Sequence, residues 1–486
     1  MKSTHATSTR LSVALVAMLL TAADRSKAEP AVKFEPKQLQ EDFRIARQSL
    51  EEGHPGLYRH IDKVELDRVF DQAAKSLNRP MDFYEFYRLV APAIAAIKCG
   101  HTGVGISTAI QEETDRLAWL PFDVKVLGGK AYIFRDYVQG GKLAGKEIKS
   151  INGAPASRIL ATMLAASMKD GDTQTTRQMD ISGNFGLNLI ALLGIKAPYD
   201  VALAGSGGKQ AESVRVAGVR PDERAKLSKQ LYPQDQAGKE FGALKFLDDG
   251  KIACLTYSSF GTAMEEAEAF MKRSFADIEA KRSKTLILDV RGNGGGEDAL
   301  GKLLFSYLVD APFMYYDDLI ANKMNFTFAK YTEPHRDLIP PDDVAERRAD
   351  GKFHLIKYDN MGLQQPSKPT FTGPVYILID GGCLSTTAEF LTAAHSRHRA
   401  TFIGEESAGC YYGPTSGDIV RIMLPNTKML IYIPIVSYYL SVEGGHQHDA
   451  GRGVIPDFPV ERTITDMVAG TDRDLELALE LSRKGR

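Results

Sequence analysis

Cysteine and tryptophan are scarce in this sequence, which has four cysteines and one tryptophan in 486 residues. Cys99, Cys254, Cys383 and Cys410 are too few and too scattered to form a disulfide scaffold or a zinc site. Free buried thiols are the simplest interpretation. In an exported protein, a disulfide between Cys383 and Cys410 is an alternative.

The sequence also has no large excess of positive or negative charge. The chain has 60 Lys and Arg against 62 Asp and Glu, a net charge of −2 and a pI near 6.6. Nucleic acid and anionic membrane surfaces are therefore not expected as partners. With 43% hydrophobic and 25% charged residues, the composition is that of an ordinary globular chain. The length predicts about two to four domains.

Long apolar runs are missing after the N-terminus. Residues 1–28 have the layout of a signal peptide: Lys2 and Arg10, the apolar stretch LSVALVAMLLTAA, and candidate cleavage points after Ala23 or Ala28. An uncleaved anchor is the alternative, but the apolar run is shorter than the roughly 20 residues that span a bilayer. We expect a periplasmic or secreted protein with no integral membrane segment after signal removal.

Helical periodicity marks the part of the chain that follows. Apolar residues recur at helical spacing over 39–50 and 66–77, and a capping-box-like start precedes a third helix over 82–97. These patterns predict an N-terminal helical domain over residues 30–110, which ends in a glycine-containing loop around His101.

Short strands and turns characterise residues 117–219. The segment 145–155, GKEIKSINGAP, is similar to the strand and turn of a PDZ domain, a module that adds peptide ends to a sheet edge. We expect a PDZ-like domain with a helical insertion near 156–196, whose groove either binds peptide or has lost that role. Residues 206–243 are polar and are predicted to be a connection.

An alternating α/β pattern extends from residue 243 to 486. Two stretches, 285–297 and 375–390, each begin as a buried strand, end in glycines and continue as a helix. They are predicted to be two strands of one buried sheet. Residues 312–370 form a long insertion without clear periodicity, which we interpret as a flap facing the substrate.

The ends of these two strands have features of a nucleophilic site. Gly294, Gly295 and Gly296 leave backbone N–H groups uncovered, which suits a developing negative charge. Ser385 falls in the first turn of a predicted helix, where unpaired N–H groups favour an oxyanion. Two alternatives are that Ser385 is only an N-cap and that the glycines bind phosphate, although they match neither common phosphate-binding motif.

The ordered set of motifs resembles the S41 serine peptidases, which include the C-terminal processing peptidases and the tricorn core. The segment 289–296, DVRGNGGG, fits the family turn D-x-R-x-N-x-G-G, and Ser385 falls where the family keeps its nucleophile. Gly404-Glu405 and residues 453–457, GVIPD, match two further signatures. The resemblance reaches from about residue 36 to the C-terminus. It implies an α/β core of the crotonase/ClpP-like type, a mixed sheet with helices.

The resemblance also implies the catalytic groups. The processing peptidases place a lysine 25 residues after the serine, but this chain has Cys410 there. The tricorn-like branch instead uses a histidine from a loop before the PDZ-like region, and His101 occupies that place. We expect His101 to act as the general base for Ser385. A C-terminal carboxylate should orient the imidazole, with Glu443 the first choice and Asp449 the second.

The oxyanion hole is expected to consist of backbone N–H groups. The N–H of Gly295 is the first choice on the glycine turn, with Gly294 the second, and Thr386 supplies the other donor. The polar residues of the DVRGN segment are expected to shape the turn without touching substrate.

The expected activity is that of an exported serine endopeptidase that cleaves peptides or unfolded proteins through an acyl-enzyme, without metal or cofactor. One alternative is a catalytically silent peptide-binding protein of the same fold. Another is a crotonase-like hydrolase of non-peptide acyl substrates. His446 and His448, two residues apart and near Glu443 and Asp449, leave a metal site as a further alternative.

Overall fold

The computed structural model describes most of the chain beyond the N-terminal segment. The predicted signal peptide over 1–28 lies outside the described residues, as do His446, His448 and Asp449. Within the described ranges, no helix combines the length and the hydropathy needed to cross a membrane. The described residues are 32–205, 212–236, 240–335, 343–443 and 450–484.

The N-terminal region is helical, as the periodicity predicts. Asp82 and Glu85 form the expected capping box, in which each side chain accepts the backbone N–H of the other residue. The apolar faces of these helices share one core with a β-hairpin from near the C-terminus, so this region has no separate core. Its elements are α1 (Pro36–Gly53), α2 (Lys63–Lys75), α3 (Phe83–Ala95), β1 (Gly103–Gly105) and α4 (Thr108–Asp115).

An antiparallel sheet forms the next region. Its strand order is β2-β3-β4-β6-β7, with β5 paired to β4. Two helices separate β5 from β6, where a helical insertion is predicted. The elements are β2 (Phe122–Leu127), β3 (Lys130–Asp136), β4 (Glu147–Ile151), β5 (Ala154–Pro155), α5 (Ala156–Ala166), α6 (Gln174–Ala191), β6 (Tyr199–Leu203), β7 (Glu212–Val216) and α7 (Pro221–Leu231).

The prediction that residues 206–243 are a connection is wrong for two of its parts. Strand β7 pairs with β6 over its whole length, and α7 is a three-turn helix. Helix α7 has no buried residue, so its sequence carries no apolar stripe from which a helix is recognised.

Strands and helices alternate through the rest of the chain. Its helices are α8 (Met264–Lys281), α9 (Asp298–Ser306), α10 (Thr386–Ser396), α11 (Ile464–Ala469) and α12 (Arg473–Lys484). Its strands are β8 (Gly242–Leu247), β9 (Ile252–Tyr257), β10 (Thr285–Asp289), β11 (Phe313–Met314), β12 (Tyr316–Ala321), β13 (Ala345–Arg347), β14 (Phe353–Leu355), β15 (Leu363–Gln364), β16 (Val375–Ile379), β17 (Thr401–Gly404), β18 (Thr415–Met423), β19 (Leu430–Leu440) and β20 (Phe458–Pro459).

One sheet of this region has the order β20-β17-β16-β10-β9-β8 and is parallel except for β8. Strands β10 and β16 are neighbours, as predicted. Alternate residues of these strands point to two separate cores: Leu286 and Ile377 pack in the larger core, and Ile287 and Tyr376 pack with α12. Both faces are covered, which explains why the strands are continuous apolar runs.

A second, antiparallel sheet joins distant parts of the chain. Strand β1, which follows the His101 loop, pairs with β19, and β19 also pairs with β18 and β12. Strands β14 and β13 continue the sheet beyond β12. The 312–370 insertion therefore contributes three strands to the sheet that anchors β1. These strands are at most six residues long, which is too short to give a clear period in the sequence.

Candidate active site

Ser385 lies in a strained turn between β16 and α10. Its φ of 58° and ψ of −129° form a combination that residues with a side chain rarely adopt. Ser385 occupies the N-cap position of α10, but its side chain makes no capping hydrogen bond. The hydroxyl of Ser385 therefore does not cap the helix in this conformation. A serine on a sharp strand-to-helix turn presents its hydroxyl outside the helix, as nucleophilic serines do.

The glycine turn after β10 lies directly against Ser385. Gly295 has a φ of 97°, and a Cβ added there would lie 2.7 Å from the Ser385 Cβ and 3.0 Å from the Thr386 N. At Gly294, in contrast, an added Cβ would meet no atom within 4 Å. The backbone of Gly295 therefore lies against the Ser385 side chain, and only glycine fits at 295.

Asn293 shapes this turn from inside the protein. Its side chain is fully buried; Nδ2 donates to the Tyr257 carbonyl at 2.9 Å, and Oδ1 accepts the Gly295 N–H at 3.0 Å. The Gly295 N–H is thus already engaged, which makes Gly294 the better donor of the two in this conformation. Thr386 is the first residue of α10, where N–H groups have no partner within the helix.

Asp380 connects the two turns. Its Oδ1 accepts the N–H of Gly292 at 2.8 Å and that of Gly382 at 2.9 Å. Gly292 belongs to the turn after β10, and Gly382 belongs to the turn that leads to Ser385. One carboxylate oxygen therefore joins the glycine turn to the serine turn.

Arg291 ties the glycine turn to the C-terminal helix. Its guanidinium contacts the carboxylates of Asp289 at 2.6 Å, Asp472 at 2.7 Å and Asp474 at 2.9 Å. Hydrogen bonds and charge from Asp289 and Asp472 keep the pKa of Arg291 above its ordinary value, although burial opposes this. The Arg291 guanidinium is therefore engaged by carboxylates within the protein.

His101 lies in the loop before β1 with both ring nitrogens buried. Neither Nδ1 nor Nε2 has a hydrogen-bond partner in the part of the chain that the structure describes. Burial lowers the pKa of His101, and the charge of Asp170 partly opposes this effect. A neutral imidazole has one donor and one acceptor nitrogen, so His101 has both functions available.

Asp170 is the carboxylate beside His101, and sequence reasoning missed it. Its side chain is buried, with Oδ1 accepting the Gly100 N–H at 2.7 Å and Oδ2 unpartnered among the described residues. One carboxylate oxygen, one His101 nitrogen and the Cys99 Sγ all lie within 4.8 Å of one another. In the sequence, Asp170 precedes Gly171 in what resembles an ordinary turn, so no local signal distinguishes it.

The segment from Asp170 to Met179 bridges the His101 loop and the serine turn. At one end, the Gly171 N–H donates to the Lys98 carbonyl at 2.9 Å. At the other end, a Cβ on Gly381 would lie 2.5 Å from the Thr175 carbonyl carbon, and a Cβ on Gly382 would lie 2.9 Å from the Met179 Cε. The start of α6 therefore brings these two loops into one region.

The two carboxylates that the sequence predicts beside His101 stay predictions. Glu443 is largely exposed and pairs with the Arg397 Nε at 3.0 Å. Asp449 lies outside the described residues, so its role stays a prediction.

None of the four cysteines forms a disulfide, so the alternative of a disulfide between Cys383 and Cys410 is wrong. Cys383 donates to the Val290 carbonyl at 3.2 Å beneath the glycine turn. Cys410, at the family's lysine position, has its Sγ 3.2 Å from the His60 Nε2. Burial raises the pKa of Cys99 to about 12.

A buried acidic cluster lies one helical turn beyond Ser385. The Tyr316 hydroxyl donates to the Glu389 Oε2 at 2.5 Å, and the Tyr358 hydroxyl donates to Asp298. Burial and the charge of Asp298 raise the pKa of Glu389 to about 8. Glu389 therefore holds a proton at neutral pH. In the sequence it is simply a charged residue near a helix start.

A glycine turn and a strained serine thus lie together at the carboxyl ends of two adjacent parallel strands. Residues 251–460, which include both turns, match the model described as peptidase family S41. The resemblance predicted from the sequence is thereby confirmed. This part of the chain is therefore similar to peptidase family S41. No curated protein matches the sequence.

Solved structures of CPAF align with nearly the whole chain. A CPAF mutant shares 15% identity with a TM-score of 0.62, covering 93% of this chain and 98% of that chain. Mature CPAF shares 16% identity with a TM-score of 0.61, covering 92% and 96%. Mature CPAF complexed with lactacystin shares 17% identity with a TM-score of 0.62, covering 92% and 98%. At these identities the likeness shows a common fold, and the predicted mixed α/β class is confirmed.

Replacing Gly295 with alanine should destabilise the protein by roughly 2–4 kcal/mol, because the added Cβ meets the serine turn and the backbone has positive φ. Gly294→Ala is the matched control, since its Cβ meets no atom within 4 Å. Chemical denaturation followed by circular dichroism measures the unfolding free energy of both variants. Equal losses in the two variants would contradict the close approach at Gly295.

Replacing Glu389 with glutamine should flatten the pH dependence of stability. The folded-state pKa of about 8 lies above the unfolded value, so the folded state retains a proton that the unfolded state releases. The unfolding free energy of the unsubstituted protein should fall as pH rises from about 4.5 to 8, by roughly 3–5 kcal/mol. Denaturant titrations at several pH values measure this. Exposed Glu461→Gln is the control, and an unchanged slope in Glu389→Gln would refute the assignment.

Proposed function

We propose that this protein is an exported serine endopeptidase that hydrolyses peptide bonds through an acyl-enzyme on Ser385, with His101 as the general base. The observation that carries the proposal is the strained Ser385 backbone held against the bare Gly294-Gly295 turn. Export rests on the signal-peptide layout of residues 1–28. The β2-to-β7 sheet is proposed to be the PDZ-like, peptide-binding region.

In the proposed reaction, the Ser385 Oγ attacks the carbonyl carbon of the scissile bond while His101 accepts the hydroxyl proton. The tetrahedral oxyanion accepts hydrogen bonds from the N–H groups of Thr386 and Gly294. The Gly295 N–H takes part only if it leaves Asn293. His101 then gives its proton to the leaving amine, and water hydrolyses the acyl-enzyme by the reverse sequence of proton transfers.

Asp170 is proposed to orient His101, a role that sequence reasoning gave to Glu443 or Asp449. The two unpartnered nitrogens of His101 suit two partners, the Ser385 hydroxyl on one side and the Asp170 Oδ2 on the other. Gly100 holds the other oxygen of Asp170, so the carboxylate is fixed to the loop that carries the histidine. Glu443 is engaged by Arg397 instead.

Digestion of an unfolded protein and a peptide library, read by mass spectrometry, tests the activity. Ser385→Ala and His101→Ala should each lower kcat by roughly 10³-fold or more, because nucleophile and base act as one unit. Ser396→Ala, on the same helix, should cleave normally, and circular dichroism verifies folding. If the unsubstituted protein binds peptides without cleaving them, the catalytically silent alternative is correct.

Asp170→Asn should lower kcat by about 10²- to 10⁴-fold with little change in KM, since an amide does not hold the imidazole in its reactive tautomer. In the His101→Ala background the same change should have no further effect, which a merely structural role of Asp170 would not produce. Asp172→Asn is the matched control, because Asp172 is exposed and pairs with Lys98. Additive losses in the double variant would overturn the orienting role.

A further inference from the structure

Three potential metal ligands converge beside the proposed catalytic base. The Cys99 Sγ, a ring nitrogen of His101 and a carboxylate oxygen of Asp170 lie within 4.8 Å of one another. Both His101 nitrogens and the Asp170 Oδ2 are buried, and within the described ranges none has a hydrogen-bond partner. Buried polar atoms are nearly always paired, so three unpaired atoms at one point are available to a ligand that binds between them.

The donor set suits a zinc ion. Thiolate, imidazole and carboxylate are the three side-chain ligands that Zn²⁺ takes, whereas a thiolate disfavours Mg²⁺ and Ca²⁺. Bond lengths of about 2.0–2.3 Å place tetrahedral donors about 3.5 Å apart, so shifts of about 1 Å complete the site. The Asp170 Oδ1 keeps the hydrogen bond that it accepts from the Gly100 N–H, and Oδ2 is available to bind the ion. Cys99 gives up its contact with the Thr415 carbonyl, which is 3.3 Å long.

We propose that Cys99, His101 and Asp170 bind Zn²⁺ and that the bound ion switches the peptidase off. The inhibitory part of this inference rests on the proposed function of His101, whereas the binding part does not.

A zinc ion bound to His101 prevents this residue from acting as the general base. An imidazole binds the ion through the lone pair of one nitrogen, and its other nitrogen then carries the hydrogen. That nitrogen donates a hydrogen bond but has no lone pair left to accept the Ser385 proton. The ion also occupies Asp170, the proposed orienting carboxylate. Binding releases the thiol proton of Cys99 to solvent, so acid weakens the site.

A second cysteine and histidine pair provides an internal control. The His60 Nε2 and the Cys410 Sγ are 3.2 Å apart, and Cys99, His101 and Asp170 form the one group of three or more donors found in the described ranges. Cys99→Ser and Cys410→Ser remove chemically identical groups. Of these two substitutions, only Cys99→Ser should weaken Zn²⁺ binding.

Metal binding is measured first, on the mature full-length chain after removal of metals with a chelator. Calorimetry should give one Zn²⁺ per chain, and Co²⁺ should produce the cobalt–thiolate charge-transfer absorption. Both signals should persist in Ser385→Ala and in Cys410→Ser. In Cys99→Ser and Cys99→Ala the cobalt–thiolate absorption should vanish. The affinity for Zn²⁺ should fall at least about tenfold, because losing even a group that hydrogen-bonds to a metal ligand lowers metal affinity by about 10–100-fold. No binding, or loss of the signal in Cys410→Ser instead, would overturn the site.

Cleavage is measured next, with each variant compared with its own metal-free rate. Zn²⁺ should lower the rate of the unsubstituted protein at least about tenfold, a chelator should restore it, and Cys99→Ser should need at least about tenfold more Zn²⁺ for the same loss. Zinc bound at Cys99 without loss of rate would overturn the switch. Absence of cleavage in the metal-free protein would refute the proposed function, while the binding data on Ser385→Ala would still decide the site.

Discussion

The parallel pairing of β10 with β16 is the constraint on which the site depends. Because the two strands run side by side and end together, their glycine turns emerge at the same edge of the sheet. Asp380 then holds both turns with a single carboxylate oxygen. The strained backbone of Ser385 lies between this fixed turn and Gly295, where an added Cβ would lie 2.7 Å from the Ser385 Cβ.

The parts of the structure that could be predicted from sequence are those with a strong local signal. Strands β10 and β16, the capping box of α3 and the glycine turn are each encoded by neighbouring residues, and their bounds agree with the pattern to within a residue or two. The position of Ser385 after its strand follows from the same local order. Helix α7, which buries no residue, lacked such a signal and was missed.

The contacts of the site that could not be predicted join residues far apart in the chain. Asp170 meets His101 only because the start of α6 spans the space between two loops, and nothing in the sequence around Asp170 encodes that path. Similarly, the engagement of the Gly295 N–H by Asn293 depends on a side-chain rotation that a motif does not specify. The resemblance to a family supplied residue types for the site, whereas the proximity of Asp170 to His101 became visible only in the three-dimensional structure.

Strand β19 connects the 312–370 insertion to the histidine loop. Strand β19 lies between β1, which follows His101, and β12, the first long strand of the insertion. The first strand of the insertion and the strand that follows the histidine loop therefore belong to one hydrogen-bonded sheet, so the insertion is not a flap separate from that loop. Because β19 is the common neighbour of β12 and β1, a single strand sets the register of both, and the insertion belongs to the sheet that supports the histidine loop.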